Sequence, residues 1–357
     1  MTGIGVLGLG TYLPSIVRHN DWWPEDIVAG WREQRAAARA GFAALQPTSE
    51  GMARVVAAMR EVNDDPFRGT VARHVMPDDM SSHDMEEQAA RTAIARAGVA
   101  VDAIDAVLVH ATVPDFLATN AACVLHRRLG LPRACLAMQV DAAAYSFMHQ
   151  LTLAEALVAG GRARQVLLVQ SSACSRLIDR ASPISPTFGD GATAVVVGPV
   201  SAGRGVIAHA HFADGNYARA LAAGVPGGHW YDAGRIVLHV VDPIVERQVF
   251  LQTLDCAREA VTAVLERSQL AASEVDFFGV HQGTPWLRKL AQDHVGLGHA
   301  RSVDTYARTA YLFAASIPLG LDVAEREGLL GPDQRVVLFG GGSGMTFGAI
   351  TLRWGAR

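Results

Sequence analysis

The chain has 357 residues, with 31 Lys plus Arg against 35 Asp plus Glu and a formal net charge of −4. Half of it is hydrophobic and 18% is charged, which excludes disorder as the main state and a nucleic-acid role carried by bulk positive charge. Four scattered cysteines (Cys123, Cys135, Cys174 and Cys256) fit neither a disulfide scaffold nor a metal spacing, and they point to a reducing cytoplasm.

Taken in chain order, Ile4 to Pro14 reads as a buried strand ending in a Gly/Pro turn. It has no basic n-region and is not a signal peptide. Its Gly8-x-Gly10 is followed by Leu13-Pro14 rather than by a helix start, so a dinucleotide fingerprint is not formed. Residues 21–67 are rich in Ala, Arg and Glu and carry Trp22, Trp23 and Trp31. They read as surface helices and a candidate lid. A helical pattern over 84–97 has Ser82 or Asp84 as its N-cap, and 104–109 is a short apolar strand. Leu136 to Val140 is an apolar strand, and Phe147 to Val158 a long helix. Val336 to Leu352 is apolar but contains five glycines, which favours a buried strand–loop–strand over a membrane helix.

The chain repeats itself. Ala89 to Asp105 aligns without a gap with Ala260 to Asp276. Each copy is a helix, a polar link and a strand. The strands then run to His110 and Pro114 in one copy and to His281 and Pro285 in the other, with the same spacing. A Gly-rich turn feeding a buried strand closes each half, at Phe188 to Gly198 and at Gly342 to Leu352. The expected architecture is α/β, with two similar halves meeting near Val200 to Gly205.

Two places can carry chemistry. His281 follows a buried strand, at the strand end where ligands gather in α/β folds, and is a candidate base or orienting group. His110 holds the matching place in the first half, so position alone does not assign catalysis. Val140 to Phe147 is a run of small residues leading into a helix. Backbone N–H groups there can hold an oxyanion; tight helix packing would use the same residues. No G-x-S-x-G elbow is present. Gly340 to Gly344 lacks the lysine of a phosphate loop. His74, His83 and His126 form no metal-spaced set, and no metal site is expected.

Together, Gly189-Asp-Gly-Ala192, His281-Gln282, Ala314-Ala-Ser-Ile-Pro318 and Gly340-Gly-Gly-Ser-Gly-Met-Thr-Phe-Gly348 resemble the ketoacyl-ACP synthase III family of the thiolase superfamily, over nearly the whole chain. The resemblance implies a thiolase-like fold of two duplicated α/β halves in a five-layered αβαβα arrangement. The halves are 1–200, with the helical insertion at about 21–67, and 201–357. The insertion is longer than the family's usual segment.

The resemblance also implies a Cys, His and Asn active site, and here the chain departs from it. Ala144 stands at the Cys position and Tyr311 at the Asn position, while His281 is kept. Thr284 replaces the Asn of the H-Q-A-N run, and Ala118 replaces a bulky gate residue, leaving room for a larger acyl group. Gly344 matches the oxyanion-hole glycine. A methyl group cannot attack a thioester, so residue 144 forms no acyl-Cys intermediate. Tyr311 offers an O–H donor on a bulkier arm.

The reading that follows is an acyltransferase of specialised metabolism, moving an acyl group from a carrier-protein or coenzyme A thioester to a small hydroxyl or amine acceptor. His281 is expected as base, and Gly344 with the Ala144 N–H as oxyanion hole. Tyr145, Ser146, Phe188, Thr284 and Phe313 are expected substrate contacts, with Ala118. Two alternatives stay open: a decarboxylative condensing synthase whose Cys was replaced by Ala144, and a catalytically silent partner of an active homologue. The resemblance further implies a homodimer or related heterodimer, an acyl-phosphopantetheine donor and no permanently bound cofactor. Arg68, Arg73, Arg176 and Arg308 are candidate phosphate or carrier contacts, but for each a solvated surface residue is the preferred explanation.

Overall fold

The computed structural model describes residues 3–43 and 45–355. In chain order the elements are β1 (Gly3–Tyr12), β2 (Ile16–His19), α1 (Glu25–Ala43), α2 (Glu50–Glu61), β3 (Ala72–Val75), α3 (Ser82–Ala97), β4 (Ala106–Ala111), α4 (Ala121–Leu129), β5 (Leu136–Gln139), α5 (Ser146–Ala159), β6 (Val166–Ala173), β7 (Asp190–Val200), β8 (Gly205–Ala213), β9 (Leu221–Gly224), β10 (Val237–Val240), α6 (Pro243–Ser268), β11 (Phe277–Val280), α7 (Leu287–His294), α8 (Tyr306–Thr309), α9 (Ser316–Arg326), β12 (Arg335–Gly342) and β13 (Thr346–Arg353).

Two sheets carry the fold. The first has the order β1-β7-β6-β4-β5 and the second β11-β12-β13-β8. β4 pairs with β6 in parallel, β6 with β7 and β7 with β1 antiparallel. The second sheet repeats this pattern: β11 with β12 parallel, β12 with β13 and β13 with β8 antiparallel. β4 and β11 begin at Ala106 and Phe277, each directly after the aspartate that ends the repeated stretch. The chain crosses between the sheets at residues 201–204, where β7 ends and β8 begins.

The layers follow from which faces are apolar. α3 and α4 cover the outer face of the first sheet, Met85, Ala89 and Ala93 packing with Val107, Val109 and Val196. α2, α6 and α7 cover the outer face of the second, Val55, Leu254 and Val261 packing with Val280 and Val337. Between the sheets lie α5 and α9. Phe147, Met148 and Leu151 of α5, with Ile317 and Leu321 of α9, meet Leu108, Leu168 and Val195 on one side and Val336, Leu338 and Ile350 on the other. A helix apolar all round is the kind that suits such a middle layer. The order is the αβαβα arrangement of a thiolase-like fold. No helix among the described residues is long and apolar enough to cross a membrane.

Some local expectations shift. The N-cap of α3 is Ser81, not Ser82 or Asp84; the Asp84 carboxylate accepts the Ser81 N–H at 2.7 Å, half of a capping box. β5, expected as a plain apolar strand, is a sheet edge with Leu136 and Met138 exposed. The 21–67 segment is docked rather than loose. Trp23 and Trp31 are buried with Phe67, and their indole N–H groups donate to Arg180 O at 3.1 Å and Ala181 O at 2.7 Å. Trp22 keeps more exposure, with the Arg18 guanidinium 4.0 Å above its ring.

Gly8 and Gly10 serve packing. A Cβ on Gly8 would lie 2.5 Å from Ala97 N, and one on Gly10 would lie 2.1 Å from Ala89 O, so α3 rests directly on β1. Gly10→Ala is therefore expected to cost about 1–3 kcal/mol, because backbone cannot yield as a side chain can. Urea denaturation against the parent chain checks this; an unchanged midpoint would refute the close approach.

Candidate active site

Matched turns from the two halves meet in the middle layer. Residues 143–145 form a 3-10 turn leading into α5, and residues 313–315 form its counterpart leading into α9. Each opens on a non-glycine residue at positive φ, Ala143 at 50° and Phe313 at 49°. Ala310, one residue before Tyr311, has φ 54°. Such conformations cost about 1–3 kcal/mol each and persist only where the surroundings over-determine them.

The first turn presents one free donor. Ala142 N donates to Ser146 Oγ at 2.8 Å, Ala143 N to Asp141 Oδ1 at 2.8 Å and Tyr145 N to Ala142 O at 3.0 Å. The Ala144 N–H has no acceptor among the described residues. It sits at the N-terminal end of α5, 14 residues long, where the dipole favours negative charge. The Ala144 methyl is buried in a cluster with Cys174, Ile178, Leu238 and Phe313, against which Leu221, Phe188 and Tyr311 pack.

Sheet register fixes the second donor. β11 pairs with β12 so that Val280 lies opposite Phe339, and His281 N donates to Phe339 O at 3.2 Å. Gly341 thereby faces the imidazole, and its N–H donates to His281 Nδ1 at 3.3 Å. In a neutral ring with Nδ1 accepting, Nε2 carries the hydrogen. Burial pushes the His281 pKa down to about 4, so the ring is neutral at pH 7. His281 is thus presented as a hydrogen-bond donor through Nε2, not in the base form expected from sequence. Gln282 is structural: its Nε2 donates to Val303 O and its Oε1 accepts from Thr305 N and Tyr306 N.

The remaining expected residues divide. Tyr311, Phe313 and Phe188 converge on position 144. Tyr311 N donates to Thr187 O and its carbonyl accepts from Gly189 N, which holds it beside Phe188. The Tyr311 and Phe313 rings stack at 4.8 Å, Phe188 and Phe313 stack at 5.5 Å, and the Tyr311 ring lies 6.1 Å from that of His281. Burial raises the Tyr311 phenol well above its ordinary pKa, so it stays protonated. Thr284 Oγ1 is buried without a partner among the described residues.

Others lie elsewhere. The Ser146 hydroxyl is buried, donates to Ala143 O and accepts from Ala142 N, so it is engaged within its own turn. Tyr145 points away from the Ala144 methyl cluster and packs between the sheets, toward the second. Gly344 lies in the β12–β13 turn, with open space where a Cβ would be. The glycines that meet the site are Gly341 and Gly342; a Cβ on the latter would lie 2.5 Å from Ala142 O. Ala118, at φ 68°, lines a separate surface cavity of about 310 Å³ with Phe116, Leu117 and Gln139. Arg73 is buried on Pro186 O, Arg18 O, Asn20 and Thr70, and Arg176 is held by Asp78 and Pro77 O, so neither is a free phosphate contact.

Sequence reasoning missed Gly341 and Cys174. The glycine run was visible, but which glycine faces His281 depends on register. The Cys174 thiol is fully buried, and burial pushes it up to about 12. It is therefore not a thiolate that could replace the missing nucleophile.

Two sheets, two buried central helices and a site at their N-termini define the thiolase-superfamily class. Residues 138–215 match the 3-oxoacyl-[acyl-carrier-protein] synthase III model, and residues 265–354 match the model of its C-terminal part. The beta-ketoacyl-[acyl-carrier-protein] synthase III of Geobacillus kaustophilus is 32% identical over 83% of this chain and 92% of its own length. The 3-oxoacyl-(acyl carrier protein) synthase III of Pseudomonas aeruginosa PAO1 superposes with a TM-score of 0.78 at 29% identity, over 99% of this chain and 98% of that one. The priming β-ketosynthase of the R1128 polyketide pathway gives 0.79 at 24% identity, over 100% and 98%, a likeness of fold. This chain belongs to the beta-ketoacyl-[acyl-carrier-protein] synthase III family.

The buried histidines set a pH dependence. Burial lowers both His281 and His211 to about 4, below the unfolded value of about 6.5. Between those values the unfolded chain binds protons that the folded chain does not, so stability is full above about pH 6.5 and falls as the pH drops toward 4. The expected loss from His281 is about 2 kcal/mol by pH 5. The half-buried His211 contributes less, because water screens its charge. His281→Gln is expected to shrink the difference between urea midpoints at pH 7.5 and pH 5; an equal difference in the variant would refute it.

Proposed function

We propose that this protein transfers an acyl group from a phosphopantetheine thioester, on coenzyme A or a carrier protein, directly to a small-molecule acceptor without an acyl-enzyme. The observation that carries the reading is the Ala144 N–H, left without an acceptor among the described residues at the α5 N-terminus, beside a histidine held as an Nε2–H donor. A thioester carbonyl placed there receives two donors as its oxygen becomes negative. Residue 144 supplies no nucleophile, so the acceptor itself attacks the carbonyl carbon, the carbon–sulfur bond breaks, and the pantetheine thiolate leaves and takes up the proton that the acceptor releases. The resting tautomer of His281 provides no base, so an amine, which attacks before losing its proton, suits this site better than an alcohol. Tyr311, Phe313 and Phe188 are the aromatic wall against which acyl group or acceptor rests. The relatives are ketoacyl-carrier-protein synthases by name; the absence of Cys at 144 and of Asn at 311 is what favours transfer.

The exposed β5 edge, with Leu136 and Met138, and the neighbouring exposed Phe116 and Leu117 support assembly as a dimer through this side of the first sheet. Ala118 would then complete the partner's site.

The test is product analysis alongside intact-protein mass spectrometry, with panels of acyl-coenzyme A and acyl-carrier thioesters and with small amines and alcohols. The chain as it stands is expected to give acylated amine with no stable adduct, and His281→Ala to lower the rate by about 100-fold. Ala144→Cys is expected to accumulate an acyl adduct. Neither product nor adduct from either protein would overturn acyl transfer in favour of a silent partner subunit.

A further inference from the structure

Tyr145, next to position 144, occupies a slot built for it in the other half of the fold. Its side chain is fully buried. A Cβ on Gly348 would lie 2.1 Å from its Oη, one on Gly340 3.3 Å from its Cδ2, and one on Gly342 2.9 Å from its backbone N. Gly348 pairs with His211 across β13 and β8, so the bare position opposite His211 is where the phenol enters.

The hydrogen bonds beyond the slot have one direction. Thr152 Oγ1 donates to Met148 O at 3.0 Å. The same oxygen lies 2.9 Å from His211 Nε2, and with its hydrogen engaged it can only accept. His211 Nε2 therefore carries the hydrogen, and Nδ1 accepts from the Tyr145 O–H at 2.6 Å. Burial holds the ring neutral, helped by the neighbouring His209, His149 and Arg267. His149 meets the Tyr145 ring edge-on at 4.9 Å. The chain Tyr145–His211–Thr152–Met148 starts at the 143–145 turn, crosses to β8 and returns to α5.

We infer that Tyr145 and His211 are positioning residues: their bond across the two halves holds the 143–145 turn so that residue 144 sits on the N-terminal axis of α5. The strained Ala143 is what this bond restrains. Tyr145 is then no nucleophile, because its hydroxyl is buried in the slot, away from the cluster around the Ala144 methyl. The inference rests on the proposed role of position 144, but its test needs no acyl donor.

The test uses the full chain carrying Ala144→Cys and follows alkylation of the introduced thiol by iodoacetamide across pH, with peptide mapping to separate it from exposed Cys123. A thiol aligned on the helix end ionises below the ordinary cysteine value. Adding Tyr145→Phe, which keeps the ring in its slot, is expected to slow labelling at position 144 about tenfold at pH 7 and raise its pH midpoint by about one unit. His211→Phe is expected to do the same. His211→Gln, which keeps an acceptor and a donor, is expected to stay within about threefold of the parent. Unchanged labelling in Tyr145→Phe, even with a lowered melting temperature, would reduce the pair to a structural contact and overturn the inference. An ordinary midpoint in the Ala144→Cys parent would overturn it too. Normal labelling behaviour with no acyl loading would sink the acyl-transfer reading alone.

Discussion

Helices α5 and α9 lie between two β-sheets and their first turns are buried, so every polar group there must be matched inside the protein. That constraint organises the molecule. Gln150 of α5 is tied to Val169 O and to Gln170, which in turn accepts from Thr193. The hydroxyls of Ser146 and Thr152 turn back onto the backbone of the helix and its turn. What cannot be matched along a helix is its first turn, and the N-termini of both central helices come together there. Among the described residues, the Ala144 N–H is a donor there that the fold leaves open. The candidate site is thus where the hydrogen bonding of a buried helix start is left open.

Strain collects at the same point. Among the described non-glycine residues at positive φ are Ala118, Ala143, Ala310 and Phe313, each in or next to a position expected to line the site. Three of them belong to the paired segments leading into α5 and α9, and their conformations are held by tertiary contact. Thr187 and Gly189 clasp the backbone of Tyr311, while glycines of β12 and β13 receive Tyr145. The small residues of 140–147, read from sequence as an oxyanion hold or as tight helix packing, and the glycines of 340–348 therefore let two halves of the chain close on one another.

The chemistry follows from what this closing leaves out. A buried alanine stands where the resemblance implies a nucleophile, a protonated phenol stands where it implies an amide, and the thiol in the apolar cluster around residue 144 is kept neutral by burial. What survives is electrostatic: a helix N-terminus and a neutral imidazole with its hydrogen on Nε2. Such groups stabilise a developing oxyanion without bonding covalently to the substrate, which is the physical basis for reading this site as one that transfers rather than captures.

The duplication, the layer assignment and the family were legible in the sequence. Buried strands read as apolar runs, glycine marks their turns, and an echo between the halves survives where strand, helix and turn must each keep their residue types. The substitutions at Ala144 and Tyr311 were legible as identities. Which nitrogen of His281 carries the hydrogen was not, because it depends on the β11–β12 register that sets Gly341 rather than Gly344 against the ring. Nor was the direction of Tyr145, whose slot is made by glycines from the opposite half of the chain. Local periodicity determines what a segment is, since it reports the faces that must be buried. Only the tertiary structure decides which donor meets which acceptor, because hydrogen bonds between halves depend on registers and packing distances that no single segment encodes.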